Sequence, residues 1–157
     1  MMPMSPNQTK LARKNLDRRL NEVASDAMAM PPHGWVKAIR EALGMSAQKL
    51  ADRMGVSRPR VAMIEKAEKT GATSLKTLRE TAESMDCVLV YAIVPRTSLD
   101  QIVRDQAAKK ADAELARLNH TMRMENQAMT THDLSDERER LIQEILAGSP
   151  RRLWDEA

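Results

Sequence analysis

Two groups of side chains in this sequence are spaced for chemistry. The first is Ser57-Arg58-Pro59-Arg60, followed at helical intervals by Met63 and Lys66. A guanidinium at the start of a helix presents a planar fork of donors. Placed in a major groove, the fork of Arg58 or Arg60 fits a guanine edge and discriminates by roughly 1–3 kcal/mol against the wrong base. Pro59 and Met63 supply apolar surface for thymine methyls. Gln48, Lys49 and Lys66 are suited to phosphate contact, which positions a protein on a duplex without specifying sequence. The second group is Thr121-Met122-Arg123-Met124-Glu125-Asn126. On a helix Thr121 and Glu125 are i, i+4 neighbours, and Glu125 prolongs an apolar stripe through Leu118 and Met122 toward Met129. A carboxylate inside such a stripe is costly to bury unless a cation meets it. No basic residue on that face offers one, so the expected counterpart is an arginine of another protein, in a bidentate pair.

No catalytic constellation accompanies these groups. His33, His120 and His132 are isolated, and the sequence has no Gly-rich phosphate loop, paired cysteines or nucleophile motif. The chain is expected to be no enzyme and to hold no metal or cofactor. Its single cysteine, Cys87, excludes an intramolecular disulfide and fits a reducing compartment. Without a membrane-spanning run or an apolar signal core, the expected location is the cytoplasm. Charge is unevenly spread. Residues 31–69 carry eight Lys/Arg against four Asp/Glu, whereas residues 99–157 carry nine against twelve. A basic middle and an acidic tail suggest two different partners.

The elements that must position the first group lie between Ser46 and Lys66. Leu50, Ala51 and Met54 give one short helix an apolar face, and Val61 and Ile64 give the next helix another. Gly55 stands where a helix C-terminus needs a positive φ, Ser57 fits an N-cap, and Pro59 is tolerated in a first turn. This is the pattern of a helix-turn-helix whose second helix reads the major groove. Upstream, Met1 to Gln8 is expected to lack order, and Thr9 to Ala27 to form a basic helix with Leu16, Leu20, Val23 and Ala27 on one face. Its Lys10, Arg13, Lys14, Arg18 and Arg19 suit a solvated face, or an arm on phosphates. Pro31-Pro32-His33-Gly34 is a break. Trp35 to Leu43 is a helix with Trp35, Ile39 and Leu43 on its inner stripe, and Ser74 to Met85 one with Leu75, Leu78 and Ala82 inward.

Downstream, Cys87 to Val94 is β-branched, nearly all apolar and closed by Pro95. A lone strand leaves its backbone groups unpaired. No second strand candidate exists, so this one is expected to pair with another copy of the chain or with a partner protein, homodimerisation being the simpler choice. A long helix begins at Leu99, with Ala107, Ala111, Leu115, Leu118 and Met122 on one stripe and a restart near Asn119. A last helix runs from a Ser135 cap to Ala147, followed by Leu153-Trp154, an apolar pair that needs something to dock on. The expected class is thus mainly α. Its expected domains are a basic N-terminal arm (1–30), a helix-turn-helix domain (31–86), a strand and linker (87–96) and a helical extension (97–157).

Residues Trp35 to Met85, read as five helices, resemble the phage-repressor or Xre-like helix-turn-helix family through Leu50, Ala51, Gly55, Val56, Val61, Ile64 and Glu65 at that family's spacing. The resemblance implies a compact all-α domain, usually dimeric on operator DNA. The family often has Gln where this chain has Ala47, with Gln48 next. Thr121, Glu125 and Asn126 resemble the motif [S/T]-x-x-x-E-[G/N] of antitoxins that restrain Fic-domain adenylyltransferases. In those, the Glu pairs with an active-site arginine that would otherwise hold the γ-phosphate of ATP. The resemblance implies that Glu125 obstructs the nucleotide while Thr121 and Asn126 hold the helix in place. The helix-turn-helix, Val90-Tyr91-Ala92-Ile93-Val94-Pro95, Leu118-Asn119-His120 and the Gly148 to Asp155 ending look like the group called mobile mystery protein A, whose companion is a Fic protein. The expected function is therefore a DNA-binding antitoxin that inhibits a Fic toxin and represses its own operon. The alternative is a free-standing Xre-family regulator whose tail dimerises or senses a ligand.

Overall fold

The computed structural model describes residues 2–23, 26–125 and 130–155. The chain divides into two compact units, one built from Met1–Val23 with Val94–Ala157, the other from Ala24–Ile93.

The second unit holds α2 (Trp35–Ala42), α3 (Ala47–Met54), α4 (Arg58–Thr70) and α5 (Leu75–Ser84), four helices rather than five. Val36, Leu50, Ala51, Val61 and Met85 form its core, with Ile39, Met54, Val56 and Leu78 packed around them. Two apolar stripes keep their middle residues, Ile39 and Leu78, against the core, but their ends differ from the sequence reading. On α2 the buried face is Val36 and Arg40, while Trp35 and Leu43 are exposed. Arg40 turns inward because Glu65 neutralises it. On α5, Leu75 is exposed and Thr81 is buried, its hydroxyl satisfied by the Thr77 carbonyl at 2.8 Å.

The first unit is a three-helix arrangement of α1 (Pro6–Leu20), α6 (Leu99–Met124) and α7 (Thr131–Ala147), closed by a short 3-10 helix at Arg152–Trp154. Ala107, Ala111, Leu115, Leu141, Ile142 and Leu153 form its core. The start of the chain is ordered. Ser5 and Gln8 form a capping box, which opens α1 at Pro6, and the helix ends at Leu20 instead of Ala27. Nor is α1 a free arm, because it packs on α6. The Asp17 carboxylate accepts from the Leu99 and Asp100 N–H groups at 2.8 and 3.2 Å, and Arg13 Nε lies 3.7 Å from Asp100. The helix α6 runs through Asn119 without restarting. Helix α7 starts four residues before the expected Ser135 cap, because Thr130 and Asp133 make a second capping box. Leu153 docks into the core while Trp154 stays exposed. Gln106 Nε2 donates to the Leu153 carbonyl at 3.1 Å, and Lys110 Nζ donates to that of Arg152.

The strand expected over 87–94 does not form in this single chain. The described residues contain no strand, and no backbone hydrogen bond among them involves Val88 to Val94. The physical reason is the one that makes a lone strand untenable: no other segment offers it an edge.

Candidate nucleic-acid interface

Helix α3 ends at Gly55, whose φ of 71° turns the chain so that its N–H closes on the Ala51 and Asp52 carbonyls. Two residues on, the Ser57 hydroxyl accepts from the Arg60 N–H at 3.3 Å and opens α4, with Pro59 in the first turn, where its missing N–H has no intrahelical role. Ala51 is fully buried between the helices of this unit, with Leu50 and Val61 equally enclosed.

That arrangement leaves Ser57, Arg58, Pro59 and Arg60 exposed on the opening turn of α4, with Met63 and Lys66 exposed further along it. Met63 shows 61% of its surface, a large apolar side chain uncovered on an otherwise polar face. Gln48 and Lys49 are exposed on α3. The Gln48 carboxamide donates to Asp52 Oδ1 at 2.9 Å, so a phosphate contact there requires it to leave Asp52. The ion pairs found in this unit among the described residues, Arg40–Glu65 and Arg53–Asp86, leave Arg58 and Arg60 out.

Three supports hold this unit together, and the sequence points to one of them: Glu65, whose charge is wrong for DNA and suits a structural hydrogen-bonding group. Arg40 Nε donates to Glu65 Oε1 at 2.7 Å and its Nη1 donates to the Met45 carbonyl at 3.0 Å, a largely buried pair that joins α2 to α4. Glu65 is thus a structural hydrogen-bonding group. Glu68, in the last turn of α4, is 6% exposed. Its two oxygens accept from the Trp35 and Val36 N–H groups at 2.9 and 3.0 Å, capping α2 from outside. Gly34 makes room for this: with φ 86° it has no side chain to cap with, and a Cβ there would sit 2.8 Å from Glu68 Oε1. For this cap the one signal in the sequence was a helix start at Pro-Pro-His-Gly with no Ser, Thr, Asp or Asn to cap it. The third support is Arg53, whose Nε donates to the Ser84 carbonyl at 2.6 Å, tying α3 to the end of α5.

Residues 36–87 match the family model described as helix-turn-helix. This segment is a helix-turn-helix domain. The match is to a DNA-binding, transcription-regulating type of domain and covers α2 to α5, leaving residues 1–35 and 88–157 outside it. Neither the curated proteins nor the solved structures include a match to the chain. Of the seven positions that carry the resemblance, Leu50, Ala51, Val61 and Ile64 are buried, Gly55 makes the turn, Val56 packs half-buried against the core and Glu65 pairs with Arg40.

The second group of candidate residues lies in the other unit. Thr121 is on the last turn of α6, exposed, with its hydroxyl donating back to the Arg117 carbonyl at 3.0 Å. Glu125 is the C-cap residue, its N–H closing on Thr121 and Met122 carbonyls, and its side chain is exposed. Within the single chain Glu125 is not enclosed by the stripe it prolongs. Leu118 is already 39% exposed, and the buried positions of α6 end at Leu115. Asn126 lies outside the described residues. Among those residues no three His, Cys, Asp or Glu side chains are grouped to hold a metal ion, and no helix is long and apolar enough to cross a membrane.

Proposed function

We propose that the chain is a DNA-binding antitoxin. Its helix-turn-helix domain binds operator DNA and represses its own operon, while its C-terminal helices bind and restrain a Fic-domain adenylyltransferase. The DNA half is carried by one observation: the opening turn of α4 offers Ser57, Arg58, Pro59 and Arg60 to solvent, with Met63 and Lys66 beyond them and no acidic partner claiming either arginine among the described residues. Arg58 and Arg60 read base edges or hold phosphate, and Gln48, Lys49 and Lys66 contact phosphate. The antitoxin half rests on the resemblance of Thr121, Glu125 and Asn126 to the inhibitory motif. The exposure of Thr121 and Glu125 at the end of α6 supports it, because a carboxylate must be uncovered to meet a partner's arginine.

A second reading, a free-standing regulator whose tail dimerises or senses a ligand, is favoured by the family match ending at residue 87. The neighbouring reading frame separates the two: a product containing H-x-F-x-[D/E]-G-N-G-R-x-x-R belongs with the antitoxin. Co-expression with that product and an ATP-dependent labelling assay test it. Glu125→Gly releases adenylyltransferase activity while the complex still forms; an inactive mutant complex beside an active free toxin refutes the obstruction. Arg58→Ala and Arg60→Ala each weaken operator binding about 5- to 150-fold if they read bases, and lower the salt slope by about one if they hold phosphate. Unchanged gel shifts for both remove α4 as the reading helix.

A further inference from the structure

The stretch that closes the second unit, Val88 to Ile93 with Val94 just beyond it, carries an interaction surface of its own. From Val88 to Val94 no backbone N–H or C=O finds a hydrogen-bond partner among the described residues. Most of the side chains are uncovered as well: Val88 is 83% exposed, Val90 68%, Tyr91 63% and Ile93 88%, while Leu89 is half-buried. Cys87 to Pro95 contains no charged residue, so nothing within it deters edge pairing. Pro95 holds Val94 to extended backbone.

We infer that this segment pairs antiparallel with the same segment of a second copy, centred on Tyr91 opposite Tyr91. The order of residues selects this partner and this direction. About Tyr91 the sequence is a chemical palindrome: Val90 faces Ala92, Leu89 faces Ile93 and Val88 faces Val94. The charges that flank the apolar run are opposite in sign, and the same two-fold brings Asp86 of one copy beside Arg96 of the other. To meet Arg96, Asp86 leaves only a long, solvent-exposed pairing with Arg53. The Asp86 side chain is 95% exposed, 4.0 Å from Arg53, and Arg96 is exposed. Parallel in-register pairing would instead set Asp86 on Asp86 and Arg96 on Arg96, which is destabilising. Alternation then puts Val88, Val90, Ala92 and Val94 on one face of the ribbon and Leu89, Tyr91 and Ile93 on the other. The pairing depends on neither the operator nor the toxin, and its failure would leave both readings standing.

Sedimentation velocity on the full chain, from micromolar to hundreds of micromolar, is expected to show a monomer–dimer equilibrium. Arg96→Asp sets a second carboxylate against Asp86 of the other copy and weakens the dimer roughly tenfold. Adding Asp86→Asn, which keeps a residue type tolerant of the positive φ of 57° at that position, recovers most of the loss. In a Cys87→Ser background, Tyr91→Cys is expected to cross-link to itself on mild oxidation, because directly opposed residues stand within disulfide reach. Val88→Cys is not, because the two copies of that position lie about 20 Å apart along the ribbon. Far-UV circular dichroism checks that each variant keeps its helices. A chain that stays monomeric throughout, a dimer indifferent to Arg96→Asp, or cross-linking at 88 as good as at 91 would overturn the inference.

Discussion

Replacing Glu68 by alanine tests how α4 is tied to the start of α2. The carboxylate is buried and accepts from two backbone N–H groups, at 2.9 Å from Trp35 and 3.0 Å from Val36. Val36 is itself 5% exposed, so its freed N–H has little access to water. A lost N-cap costs about 0.5–2 kcal/mol, and a buried donor left unsatisfied costs about 1–3 kcal/mol. The gain from no longer burying a carboxylate offsets part of this. A net loss of about 2–3 kcal/mol is expected, which in a unit of this size lowers Tm by roughly 10–20 °C. Glu68→Gln keeps the shape and one acceptor, and should cost about 1 kcal/mol. The assay is urea and thermal unfolding followed by Trp35 fluorescence in a Trp154→Phe background, so that the signal reports on one unit alone. Gly34→Ala supplies the cross-check. Its Cβ collides with Glu68 Oε1, so part of its cost should vanish when position 68 is alanine, and the double-mutant cycle should show coupling. A Glu68→Ala protein within about 0.5 kcal/mol of the parent would show that α2 needs no outside cap and that the reasoning is wrong.

Two further outcomes concern the other unit. Asp17→Asn removes a charged acceptor from the Leu99 and Asp100 N–H groups and should destabilise α1 on α6 by about 1 kcal/mol, read as earlier hydrogen exchange at those two amides. Asp100 titrates below its ordinary 3.8, chiefly because the Arg104 guanidinium hydrogen-bonds it, with Arg13 and Lys10 adding attraction. A carboxyl lowered by folding stabilises the native state above its unfolded pKa and ceases to do so as pH falls through its lowered value. Arg104→Ala should therefore raise the Asp100 midpoint in a carboxyl NMR titration and flatten the acid side of the stability curve.

The helix-turn-helix was legible because its determinants are local. Gly55, Ser57 and Pro59 act on their own backbone, and the Leu50, Ala51, Val61 and Ile64 pattern is a single periodicity. What escaped was set by partners far along the chain. Arg40 has a charge that argues for the surface, and only Glu65, 25 residues on, permits its burial and so rotates the face of α2. Glu68 caps a helix 32 residues before it. The basic face of α1 is solvated as read at Lys10, Lys14, Arg18 and Arg19, but its docking was not legible, because Asp17 and Arg13 meet the start of α6 more than 80 residues later. Both misplaced starts, at α1 and α7, came from passing over capping boxes, Ser5 with Gln8 and Thr130 with Asp133. Of the candidate residues, Gln48, Lys49, Ser57, Arg58, Pro59, Arg60, Met63 and Lys66 are exposed.

The division of the chain has a consequence for synthesis. The helix-turn-helix unit is continuous in sequence and complete by Ile93, whereas α1, made before it, belongs with α6 and α7, made after it. As a nascent chain leaves the ribosome, the middle unit can close while α1 waits, its contacts still untranslated. A ribosome halted in α6 would therefore display a finished duplex-reading module beside an unpaired amphipathic helix, the very interval in which a chaperone would find something to hold.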